Sequence, residues 1–356
     1  MNTLRRARFA LAMRLRTDIY HVTEKANWAL YWVGHYVTQH LQAAGRRAHL
    51  VDGVGPLRGQ IIHYGAREMF LNRPPDHPSN HVFLTWFHGK PDDPDPALRA
   101  LFEKLPARSP ELRRIVTSCA ASRAALLAVG VPPAQVEVIP IGVDLAHFTP
   151  PDAAARRAAR AALGIPPEAF VVASFQKDGT GWGAGDAPKL IKGPDVLLDT
   201  LARLAPHYPQ IFVLLTGPAR GYVKNGLDKL GVRYMHHMLD DYAQMPRFYY
   251  ASDAYLITSR SEGGPKGLME SWATGVPVVS TAMGMPADWV RHGENGLLAP
   301  VEDAPALAEA LARLIEEPAL RERFRTAGYG AVKPLDWARI AADYDRLLYA
   351  PLVDKR

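Results

Sequence analysis

Along the first 150 residues, apolar positions fall in short β-branched or aromatic runs separated by longer stretches in which they recur every three or four residues. That alternation predicts a parallel sheet covered by helices, because a strand buried on both faces reads as one short apolar run while a covering helix carries a single apolar stripe. Strands are expected at 18–23, 48–52, 60–64, 82–87, 115–118 and 136–140. The clearest helices are 27–44 and 120–129, stopped by Gly45 and Gly130, where glycine accepts the left-handed backbone of a helix end. After Asp144 the composition turns to Ala, Arg and Pro over 149–167, which predicts a linker with a short helix in it. A second alternation follows, with strands expected at 170–175, 211–216, 232–235, 254–258 and 276–280, and helices at 194–204 and 304–315. The chain therefore reads as α/β, with two Rossmann-like domains in tandem at 1–148 and 149–334. Ligands of such folds lie at the carboxyl ends of the strands.

Composition agrees. A chain of 356 residues with 48% hydrophobic content can bury two ordinary cores. No apolar run approaches the ~20 residues that cross a bilayer, and no secretory leader is recognisable, so the expected location is the cytoplasm. The one cysteine, Cys119, excludes an intrachain disulfide and a cysteine-cluster metal site.

The net charge of +6 becomes informative once it is located. Residues 1–150 hold 18 Lys and Arg against 12 Asp and Glu, whereas the rest balances at 24 against 24. Arg5, Arg6, Arg8, Arg14 and Arg16 all precede the first acid, Asp18, and alternate with Leu4, Phe9, Leu11, Met13 and Leu15. Such a basic amphipathic segment suits the surface of an anionic membrane, which would place the protein peripherally on the inner face of the cell membrane. Without a recognisable binding motif beside the charge, nucleic acid is not an expected partner.

Candidate chemistry concentrates in 261–280, SEGGPKGLMESWATGVPVVS. A loop acid followed by two glycines lets backbone N–H groups approach a diphosphate, and the helix start behind them adds partial positive charge. With Glu262 and Glu270 eight positions apart across the turn, then Gly-Val-Pro and a buried strand, the stretch resembles the signature of family 4 glycosyltransferases. By that resemblance Glu262 faces the sugar hydroxyls, Glu270 accepts bonds from the ribose hydroxyls, and Gly263, Gly264, Lys266 and Leu268 belong to the donor site. Gly264 and Pro265 depart from the family's usual aromatic and second glycine, and Lys266 is an added cation.

Upstream, Lys192-Gly-Pro-Asp195 resembles the family's Lys-Gly-x-Asp element, whose lysine meets the donor diphosphate. The arginine that usually follows the preceding strand is missing, and Lys177 stands near its place. His88, in Phe87-His-Gly-Lys90, matches the histidine placed beside the transferred sugar. Val116 to Ser122 and Val138 to Asp144 resemble the family's strand-serine and Ile-Pro-Asn-Gly-Val-Asp elements, with Ile141 in place of asparagine. Segment 335–356, through Trp337 to Tyr349, resembles the helix that returns to the first domain. On the acceptor side, Lys90 and Trp28 are the candidates. Trp28 opens an aromatic stripe with Tyr31, Trp32 and His35 whose spacing also suits a core face.

The resemblance implies a GT-B architecture and a retaining transfer from a nucleotide diphosphate sugar to a glycan or glycolipid, in cell-surface polysaccharide synthesis. No cofactor and no metal is expected. Asp93 and Asp95 lie in a proline-broken segment, and the adjacent His236 and His237 point to opposite faces of a strand, so neither pair reads as a cage. Two other functions suit the same architecture: a non-hydrolysing nucleotide-sugar epimerase, for which the extra acid–base residues are not found, and a binding protein without turnover. A dinucleotide-dependent dehydrogenase is disfavoured, since EKANW follows the first strand in place of a glycine fingerprint.

Overall fold

The computed structural model describes residues 17–24, 29–239 and 241–353. The basic segment 1–16 and Trp28 lie outside the described residues. Among those described, twelve strands form two six-stranded parallel sheets. The first contains β1 (Ile19–Val22), β2 (Ala48–Val51), β3 (Ile61–Tyr64), β4 (His81–Thr85), β5 (Leu112–Thr117) and β6 (Val136–Val138), in the order β2-β1-β3-β4-β5-β6. The second contains β7 (Phe170–Phe175), β8 (Ile211–Thr216), β9 (Arg233–His237), β10 (Ala254–Ile257), β11 (Val278–Thr281) and β12 (Leu297–Ala299), in the order β12-β11-β10-β7-β8-β9.

Each expected strand overlaps an observed one within a few residues. β12, the edge strand beside β11, was not expected. The linker helix is Ala153–Ala162, capped by Asp152, whose side chain takes the Ala155 N–H at 2.7 Å. Helix Trp337–Tyr344 runs on through a π-helical turn, Asp345–Tyr349, into a short helix, Ala350–Val353, and contacts the first sheet's side chains. Arg46 forks onto Asp345 at 2.9 to 3.0 Å, and the buried Tyr349 hydroxyl is hydrogen-bonded to His63 Nδ1 at 2.6 Å.

The strand orders fix where each sheet opens. In the second sheet, β7 and β10 are hydrogen-bonded neighbours from which the chain departs toward opposite edges, so a crevice opens at their carboxyl ends. In the first, the equivalent reversal lies between β1 and β3, with β4 next to β3 carrying Thr85 toward His88. The two domains meet across these ends. Ala120 N–H donates to Asp288 at 2.8 Å, and Gly263 sits so close to the Phe87 carbonyl that a Cβ there would lie 1.8 Å from its oxygen.

Candidate active site

The loops leaving β7 and β10 bring the two best sequence candidates together. Lys192 and Glu262 form an ion pair of 2.7 Å, and Glu262 also accepts the Ser259 hydroxyl at 2.5 Å. A glycine makes this approach possible. Gly193, with φ +64°, lies against the end of β10, where a Cβ would stand 2.0 Å from the Thr258 carbonyl oxygen. The Thr258 hydroxyl closes the contact by donating to the Gly193 carbonyl at 2.8 Å. Asp195, the last residue of the same element, grips Arg260 through two bonds of 2.8 and 2.7 Å, which ties the Lys192 turn to the loop that carries Glu262. That guanidinium holds the Asp195 carboxyl below its usual range.

Beneath the loop after β7 lies a fully buried ion pair that sequence reasoning did not single out. Arg220 meets Asp178 at 2.9 Å and donates to the carbonyls of Ser174, Gln176 and Thr216 at 2.6, 2.9 and 3.0 Å. One guanidinium thus collects carbonyls at the ends of β7 and β8. Burial pushes the Asp178 carboxyl up, against the pull of Arg220.

Lys177, the expected stand-in for the missing arginine, is engaged by an aromatic ring. Lys177 rests its ammonium 3.7 Å from the ring centre of Trp182, an indole that is 67% exposed on the glycine-rich loop. Lys189 is the cation that sequence reasoning missed. Desolvation lowers its pKa first, then repulsion from Lys192 and Lys177, while Glu262 and Asp95 act in the opposite sense. Three lysines and one glutamate therefore face the crevice, leaving a surplus of positive charge where a diphosphate is expected.

His88 joins this cluster from the first domain. Its pKa is lowered to about 3, by burial first and then by Arg67, Lys192 and Lys189, so the ring is neutral at working pH. Arg67 fixes the tautomer, since its Nη2 stands 3.2 Å from His88 Nε2 and a guanidinium can only donate. Nε2 is the acceptor, and Nδ1 carries the hydrogen. Arg67 also donates to the His88 carbonyl and lies over the Trp86 ring at 5.0 Å, buried throughout.

Glu270 is buried about one turn into helix Lys266–Ala273, and both its oxygens are engaged. Tyr249 donates to Oε2 at 2.7 Å, Tyr242 donates to Oε1, and Lys266 Nζ lies 3.4 Å from Oε1. Lys266 is thus directed at Glu270, with burial lowering its pKa against the pull of that carboxylate. Gly264 packs against Met285 and Ile141, and the Leu268 side chain is wholly in the core. Lys90 is exposed at the start of the segment in which the Asp93 carboxylate accepts the Asp95 N–H and Asp95 caps helix Pro96–Arg108. His236 bonds the Gly217 carbonyl at 2.8 Å. Of the aromatic stripe, Trp32 reaches the second domain and stacks on Tyr242 at 5.5 Å, while Tyr36 stacks on Trp337 at 5.2 Å.

Two sheets of this order, facing each other through their carboxyl ends, define the GT-B fold. Sucrose-phosphate synthase from Thermosynechococcus elongatus superposes with a TM-score of 0.78 at 19% identity, covering 96% of this chain and all of that one. HepE of Anabaena, solved in complex with UDP, superposes with a TM-score of 0.71 at 17% identity, covering 93% of this chain and 99% of that one. Residues 188–331, which carry Lys189, Lys192, Glu262 and Glu270, match the family of glycosyl transferases group 1. Among curated relatives, a lipopolysaccharide core biosynthesis glycosyltransferase, LpsE of Rhizobium meliloti, is 31% identical over 138 residues, covering 39% of this chain and 40% of that protein. A D-inositol 3-phosphate glycosyltransferase of Nocardioides sp. is 29% identical over 271 residues, covering 70% and 56%. The chain thus spans about half the length of the curated relatives it matches.

Proposed function

We propose that the protein is a retaining, metal-independent glycosyltransferase that moves a sugar from a nucleotide diphosphate donor to a glycan or glycolipid acceptor. The observation that carries this reading is the 2.7 Å pairing of Lys192 with Glu262 at the point where the second sheet reverses its order. The match of residues 188–331 to the glycosyl transferases group 1, and the occurrence of UDP in the complex of HepE, support it.

In this reading Lys192 and Lys189 take the negative charge that gathers on the departing diphosphate, with the amides of Gly263 and Gly264 beside them. Charge placed in advance at a site shielded from water lowers the barrier without reorganisation at the moment of reaction. Glu262 exchanges its bond to Lys192 for hydroxyls of the transferred sugar. His88, neutral, offers its Nδ1 hydrogen to that sugar. The acceptor attacks from the face the diphosphate leaves, so configuration is retained, and a phosphate oxygen receives the acceptor's proton. Lys90 and Trp28 belong to the acceptor side in this reading. Residues 1–16 hold the protein on the anionic inner face of the cell membrane, where glycans for the cell surface are assembled.

The test is a thermal-shift panel of nucleotide sugars on the purified protein. A ligand that binds only the folded state raises Tm, by about 2.7 kcal/mol of added stability at a hundred times Kd. One donor and its nucleoside diphosphate should each raise Tm; a flat response to every nucleotide sugar overturns the proposal.

A further inference from the structure

By the resemblance noted in the sequence Glu270 accepts the ribose hydroxyls of the donor, yet both of its carboxylate oxygens already accept tyrosine hydroxyls. The two tyrosines are held differently. Tyr249 is fully buried on helix Met245–Tyr250 and packs edge-on against Phe175 at 4.9 Å. Tyr242 is half-buried on the short turn Tyr242–Gln244 that leads into that helix. Its ring is stacked on Trp32 of the first domain at 5.5 Å and 26°, and the Lys266 ammonium stands 3.8 Å from its centre. It also lines a cavity of about 360 Å³ at the domain boundary, together with Trp32, Tyr36, Asp144, His147 and Asp241.

A carboxylate can accept at roughly four lone-pair positions, and a phenol donates to it just as a sugar hydroxyl does. We propose that the Tyr242 hydroxyl stands in for a ribose hydroxyl, and that a nucleoside binds by displacing it from Glu270 Oε1 while Tyr249 keeps the carboxylate in place. This inference rests on the donor reading. With Tyr249 and Lys266 each keeping one position, the departure of Tyr242 leaves room for both hydroxyls of a ribose. The adjoining cavity receives the displaced ring, and because the ring stacks on Trp32, the exchange alters a contact between the two domains. Burial and the Glu270 charge hold the Tyr242 phenol well above its ordinary pKa, so it remains a donor, and competes, at every working pH.

Tyr242 is therefore a positioning residue that acts through Glu270, and its own hydroxyl weakens nucleoside binding. Tyr242→Phe keeps the ring, the Trp32 stack and the Lys266 contact while removing the competitor. Calorimetric titration with UDP, GDP, ADP and their free nucleosides reads the effect. Whichever diphosphate binds the wild type, it and its nucleoside should both bind Tyr242→Phe about tenfold more tightly, the scale of one charge-assisted hydrogen bond partly replaced by water. In a Glu270→Ala background the same substitution should change neither affinity, a coupling that a merely structural tyrosine would not produce. Unchanged or weaker binding by Tyr242→Phe, or an equal gain without Glu270, overturns the exchange. If the wild type binds none of the six ligands, the donor reading falls with it, whereas wild-type binding that Tyr242→Phe leaves untouched defeats the exchange alone.

Discussion

The first domain carries a built-in acid sensitivity centred on His21. This side chain on β1 is 2% exposed, stacks on His63 at 4.7 Å, and neither ring nitrogen has a hydrogen-bond partner among the described residues. Burial lowers its pKa to about 4 from an ordinary value of 6.5. Between those two values the unfolded chain binds a proton at this site and the folded chain does not. The contribution of His21 is thus fully present above about pH 6.5 and is lost as pH falls toward 4. At about 1.4 kcal/mol for each unit, the shift is worth on the order of 3 kcal/mol. His63, shifted in the same direction by burial and by His21, adds to the loss. His21→Leu removes the titration at nearly constant volume and leaves no buried nitrogen unpaired, so stability at pH 7.5 should change by less than about 1.5 kcal/mol. Calorimetric unfolding at pH 7.5 and at 4.5 measures both proteins. Wild type should lose stability more steeply than His21→Leu, by on the order of 2 to 3 kcal/mol over that interval. Parallel losses in the two proteins would refute the reasoning.

Transfer or donor hydrolysis should persist in excess EDTA; complete loss that manganese or magnesium restores would revive Asp93 and Asp95 as ligands. Deleting residues 2–16 should abolish sedimentation with anionic vesicles and leave transfer to a soluble acceptor nearly intact, and equal vesicle binding by the shortened protein would reject the segment as an anchor.

Much of the fold was legible because parallel strands buried on both faces leave continuous apolar runs, as in FVVASF and IFVLLT. β12 escaped because three residues, LLA, carry too little pattern, and the strand exists through its pairing with β11. Within the site, what lies in one stretch of sequence was readable, and what folding assembles was not. Lys192 and Glu262 were found through their local elements. Arg67 reaches His88 from 21 positions away, Arg220 joins Asp178 across a strand and a helix, and Tyr242 and Tyr249 reach back to Glu270, none with a local signal. Lys189 escaped in the same way: proximity in sequence pointed to Lys177, which lies against the Trp182 ring, and no local pattern pointed to Lys189, which shares the field of Lys192, Lys177 and Glu262.

The central claim is that Lys192 and Glu270 meet different parts of one donor, and four affinities test it. Charge-assisted hydrogen bonds are worth roughly 1.5 to 3 kcal/mol each, so the loss of one weakens a complex by about ten to more than a hundred fold. Calorimetric titration of Lys192→Ala and Glu270→Ala, each with the nucleoside diphosphate and with the free nucleoside, gives the pattern. Lys192→Ala should bind the diphosphate that much more weakly and the nucleoside as wild type does, while Glu270→Ala should lose affinity for both, since both carry the ribose. Wild-type affinity of Lys192→Ala for the diphosphate, or a loss in Glu270→Ala confined to the diphosphate, would contradict the placement of the donor along this crevice.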